Sequence, residues 1–114
     1  MIRTRQTSRA RSGKRARRPY RAKGAVTVEW TTHVFREGNQ YVAHAMPIDV
    51  MSSAASSDAA RTALEEAVRL FLLTAADAGT LTDVLEECGY TRRDDAWKSP
   101  EFVAVERHTL ALTV

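Results

Sequence analysis

Residues 57–79 read SDAARTALEEAVRLFLLTAADAG, and the spacing inside this stretch decides the fold. From Ala60 to Ala78 the apolar positions Leu64, Val68, Phe71, Leu72 and Ala75 recur at i, i+4, i+7, i+8 and i+11. That is one face of an amphipathic helix, which must bury its stripe against another layer. Glu65, Glu66, Arg69 and Asp77 occupy most of the other face. Ser57 or Asp58 supplies an N-cap, and Gly79 is placed to stop the helix.

Upstream, the chemistry turns to strands. Ala25 to Arg36 (AVTVEWTTHVFR) is rich in Val, Thr, Trp and Phe, with Val26, Val28 and Trp30 in one phase. It reads as a single strand. Glu37-Gly38-Asn39 is turn chemistry, and Gln40 to Met46 (QYVAHAM) reads as the returning strand of a hairpin. Pro47 cannot donate to a ladder, so it ends that strand or marks a sheet edge. Ile48 to Met51 gives a short third strand, and Ser52 to Ser57 a loop.

Downstream, Thr80 and Asp83 have the spacing of a capping box, and Leu81, Val84, Leu85 and Cys88 form the stripe of a second, shorter helix closed by Gly89. Tyr90 to Glu101 reads as a charged connector. Phe102 to Val114 (FVAVERHTLALTV) is β-branched and partly alternating, and reads as a last strand. The expected order is β-β-(β)-α-α-β. This is an α+β domain: an antiparallel sheet with one long helix on one face. An unpaired edge at the last strand favours a homodimer.

The net charge of +3 averages two unlike objects. Residues 1–24 hold ten of the seventeen Lys and Arg and none of the fourteen acids. Residues 25–114 keep seven cations against fourteen acids, a net of −7. The expected organisation is a disordered basic arm over 1–24 and a folded acidic domain over 25–114. The arm has too little apolar content to repay the entropy of ordering its backbone.

One thiol, Cys88, cannot form an internal disulfide, and no apolar run approaches the ~18 residues of a membrane span. The expectation is a cytoplasmic protein with no membrane association. His33, His44, His108 and Cys88 show no zinc spacing, although His44 and His108 fall in expected strands that could meet. No glycine-rich phosphate loop or nucleophile elbow is present. Catalysis by carboxylates needs two acids converging in a cleft, and the strands offer only Glu29, Asp49 and Glu106. The reading is therefore non-catalytic, without metal or cofactor.

Several short motifs in order resemble the HicB antitoxin family. They are Phe35-Arg36-Glu37-Gly38, Tyr41-Val42-Ala43, Ile48-Asp49-Val50, Ala63 to Leu72 (ALEEAVRLFL) and Gly79 to Tyr90 (GTLTDVLEECGY). The likeness covers residues 26–90. It implies a partly degenerate ribonuclease-H-like sheet with a long helix packed on it, and a domain that masks a small RNA-cleaving HicA-like toxin. The loop before the long helix, Ser52-Ser53-Ala54-Ala55-Ser56-Ser57, lacks the family's usual glycine, and no C-terminal DNA-binding module follows. The resemblance is thus to a solitary or short form.

Two candidate surfaces follow. Asp83, Glu86, Glu87, Asp94 and Asp95 could face a basic partner, with Trp97 either an interface anchor or a lid on the core. In the arm, Arg9, Arg11, Lys14, Arg15, Arg17, Arg18, Arg21 and Lys23 could bind phosphates of DNA or RNA. The arm could equally be a solubilising tail or translated sequence upstream of a mistaken start codon. The alternative function is therefore a nucleic-acid-binding protein whose body dimerises.

Overall fold

The computed structural model describes residues 2–4 and 25–114. Its elements are β1 (Ile2–Thr4), β2 (Thr27–Val28), β3 (Thr31–Glu37), β4 (Gln40–Met46), β5 (Val50–Ala54), α1 (Ser57–Asp77), α2 (Leu81–Glu87), β6 (Thr91–Arg93) and β7 (Ala96–Lys98). The fold is α+β. The strands form two sheets, in the orders β1-β5-β4-β3 and β2-β7-β6.

The hairpin forms where turn chemistry placed it. Glu37 pairs with Gln40 across Gly38 and Asn39, and Gly38 sits at φ +65. A residue with a Cβ is strained in that left-handed region, so glycine suits the turn. Register then assigns the faces. Val34, Ala43 and Ser52 share one face with Thr32, Ala45 and Val50. α1 packs across β4 and β5. There Ala43, Ala45 and Val50 join Ala60, Leu64, Ala67 and Val68 in one buried cluster. Each fully buried Leu or Val contributes about 1.5–3 kcal/mol.

The long helix starts slightly earlier than its apolar stripe. Ser56 is the N-cap, its Oγ accepting the Ala59 N–H at 3.1 Å. Neither Ser57 nor Asp58 fills that role. The capping box expected at Thr80 and Asp83 does not form, because the Thr80 hydroxyl donates back to the Ala75 carbonyl at 3.3 Å. Thr80 thereby ties the start of α2 to the end of α1.

Four further expectations need correction. Residues 52–57 are not all loop, since β5 continues to Ala54 and α1 begins at Ser57. Ala25 to Arg36 is not one strand: β2 and β3 lie in different sheets, separated by Glu29 and Trp30. Residues 90–101 are not a mere connector. β6 and β7 form a hairpin there, turned at Asp94 (φ 55) and Asp95, and β7 also pairs in parallel with β2. Asp tolerates the left-handed turn position better than most residues. Finally, residues 102–114 form no strand. They run as an exposed segment with no sheet partner among the described residues, since strand propensity cannot act without a neighbouring strand.

Most of the basic arm, including the eight candidate phosphate-binding residues, lies outside the described residues. Its described part, Ile2–Thr4, is not coil but pairs antiparallel with β5. Among the described residues no helix is long and apolar enough to cross a membrane.

Candidate functional site

Trp97 organises the second sheet. It sits on the central strand β7 and is 1% exposed. Its ring joins Leu81, Leu85 and Tyr90 in the core, and the Arg92 guanidinium lies 5.9 Å from the ring centroid. Of the two roles open to it, Trp97 takes that of a lid. It offers little surface to a partner.

Glu29 fastens the same sheet through its backbone and its side chain. Its carbonyl accepts the Tyr90 hydroxyl at 2.6 Å, and its N–H donates to the Trp97 carbonyl at 3.3 Å. Its carboxylate accepts the Ser99 N–H at 3.0 Å, with Lys98 Nζ 3.7 Å from the other oxygen. Burial, then the nearby Cys88 and Glu29, push the Tyr90 hydroxyl well above its ordinary value. It remains a donor to the carbonyl through the physiological range.

The remaining exposed acids define the charged surface. Glu86 and Glu87 at the end of α2 and Asp94 and Asp95 in the β6–β7 turn are all exposed, while Asp83 is half-buried. Glu65, Glu66 and Asp77 add exposed carboxylates along α1. The body's excess of acids is therefore presented to solvent, where it creates a negative field around the fold.

One corner brings together side chains with chemistry. His44 Nε2 lies 2.6 Å from Asp49 Oδ1, both groups being part-buried. A neutral imidazole must carry its proton on Nε2 to donate there. The Asp49 charge also reaches Cys88. Burial first, then Glu87 and Asp49, push the Cys88 thiol above its ordinary value of 9.0. A thiol held protonated is a weaker nucleophile than a thiolate.

The cross-strand partner of His44 is His33, not His108. His108 instead lies 2.9 Å from Glu106 in the exposed C-terminal segment. Glu29, Asp49 and Glu106 therefore have separate partners: Ser99 and Lys98, His44, and His108. Among the described residues no three His, Cys, Asp or Glu side chains are grouped to hold a metal ion.

An apolar groove escaped the sequence reading. Val26, Val28, Trp30, Leu72, Leu73 and Leu81 line it, with the charged Glu65 and Arg69 also on its lining, around a space of about 590 Å³. The signal was present in the shared phase of Val26, Val28 and Trp30, which was read only as the mark of a strand. Leu73 is 55% exposed at the groove, on the helix flank away from the sheet.

No known protein family, curated protein or solved structure matches this chain.

Proposed function

We propose that this chain is a non-catalytic, HicB-like binding module of the antitoxin type, whose acidic body covers a small basic RNA-cleaving protein. The observation that carries the reading is the charge segregation: residues 25–114 are net −7, and most of their acids are exposed on α1, α2 and the β6–β7 turn. Opposite potentials steer association and suppress wrong partners. An RNA-cleaving protein needs a cationic surface to hold its substrate, so an acidic module competes with RNA for that surface. The finer assignment, a degenerate ribonuclease-H-like sheet, rests on the motif likeness over residues 26–90.

The test is recovery of the tagged full chain from its native host at low salt. A small basic protein should be retained. It should be lost from the variant carrying Glu86→Lys, Glu87→Lys, Asp94→Lys and Asp95→Lys. Retention of the same protein by that variant would overturn the reading.

A second reading is favoured by the ten cations of residues 1–24, which could supply a salt-dependent contact to DNA or RNA while the body dimerises. Filter binding of nucleic acid that is unchanged on deleting those residues would remove it.

A further inference from the structure

The segment after β7 carries apolar side chains that no other described residue covers. Val103, Val105, Leu110, Leu112 and Val114 are 73–115% exposed. The segment is anchored at its root, where the Phe102 ring packs edge-on against His33 of β3 with centroids 5.7 Å apart. In extended chain, alternate residues share a face. Phe102, Leu110, Leu112 and Val114 are in one phase, with the Glu106–His108 pair between them in the same phase. From its anchor an extended segment of this length reaches roughly 40 Å. Its far end carries a short comb of exposed apolar side chains.

The same chain also presents the groove between β2 and the α1–α2 corner, its apolar lining of Val26, Val28, Trp30, Leu72, Leu73 and Leu81 flanked by the charged Glu65 and Arg69. We propose that Leu110, Leu112 and Val114 of one chain fill this groove on a second copy, and that the exchange is reciprocal.

Three arguments select a second copy as the occupant. The comb and the groove, both without a partner among the described residues, belong to one sequence, so one two-fold contact satisfies both twice. The β-branched and leucine-rich tip has the composition of a strand that awaits a neighbour. The area also closes. At roughly 100 Å² per side chain, three residues from each of two arms and the groove surface they cover give about 1,200 Å², the lower end for a specific interface. A partner that took only the comb would leave the groove open, and the total would be halved.

The experiment is sedimentation of the full chain across micromolar concentrations, with Trp30 fluorescence as a local reporter. Trp97 is buried in either state, so a change in emission on dilution reports the groove. The expected result is a wild-type dimer whose emission shifts to the red as it dissociates.

The arm variant Leu110→Asp/Leu112→Asp and the groove variant Leu73→Asp should each weaken self-association by about a hundredfold or more. All three residues are exposed, so both variants should keep the circular dichroism of the wild type. Mixing the two variants should restore a dimer, because one intact arm then meets one intact groove. A monomeric wild type would overturn the proposal. So would a dimer indifferent to both variants, a mixture that does not associate, or a dimer lost only on deleting residues 1–24.

Discussion

Replacing Trp97 with alanine tests whether the second sheet is part of the core or a detachable recognition hairpin. The ring is 1% exposed and packs with Leu81, Leu85 and Tyr90, while β7 is the strand that joins β2 to β6. Removing a buried Trp side chain costs about 3–5 kcal/mol through lost transfer energy and the cavity left behind. That is a large part of the ~5–15 kcal/mol that holds a domain folded. At about 4–8 °C per kcal/mol for a body of this size, Tm should fall by roughly 12–40 °C. Urea denaturation followed by far-ultraviolet circular dichroism reads the loss directly. Trp97→Phe keeps most of the ring volume and should recover most of the stability. A loss under about 1 kcal/mol for Trp97→Ala would refute the reasoning, since that is the range of substitutions that disturb no core.

Three further perturbations probe the joints of the fold. Tyr90→Phe removes the 2.6 Å hydrogen bond to the Glu29 carbonyl and should cost about 0.5–1.5 kcal/mol in the same denaturation assay. Ser56→Ala removes the N-cap of α1 and should cost about 0.5–2 kcal/mol, with the helical signal fraying before the main transition. Alkaline pH should destabilise the fold. Cys88 and Tyr90 both hold their protons more tightly folded than unfolded, so their stabilisation is complete below the ordinary thiol value of 9.0 and is lost as pH rises. The Tyr90 share begins to go above its ordinary value of 10.0, so urea midpoints should fall more steeply there. Tyr90→Phe should flatten that steeper limb.

What was legible in the sequence was whatever carries its own periodicity or punctuation. The α1 stripe and the Gly38 turn state their structure locally, and both stand where the pattern put them. The second sheet was hidden because its strands are two or three residues long and mostly polar. It is held by one buried ring and by the hydrogen bonds of Glu29, which no local pattern shows. The break at Glu29 and Trp30 carries no glycine or proline, so β2 and β3 read as one strand. Residues 102–114 have the opposite character. Their composition is right for a strand, but the partner that would make them one is not among the described residues.

The candidate site was legible as composition and only partly as geometry. Charge segregation is plain from residue counts, and Glu86, Glu87, Asp94 and Asp95 are indeed exposed. Trp97, named for its odd setting among charges, is drawn into the core by β7. The groove depends on β2 lying beside a helix far along the chain, a long-range placement that sequence spacing does not encode.

The most direct test of the proposed masking role is RNA cleavage by the small basic protein that the full chain retains at low salt, titrated with the full chain. The account predicts that cleavage stops near one equivalent. The variant with lysine at positions 86, 87, 94 and 95 should require more than tenfold as much, and added salt should weaken the wild-type effect. Cleavage that continues undiminished in excess of the wild-type chain would contradict the account, as would the absence of any such basic protein.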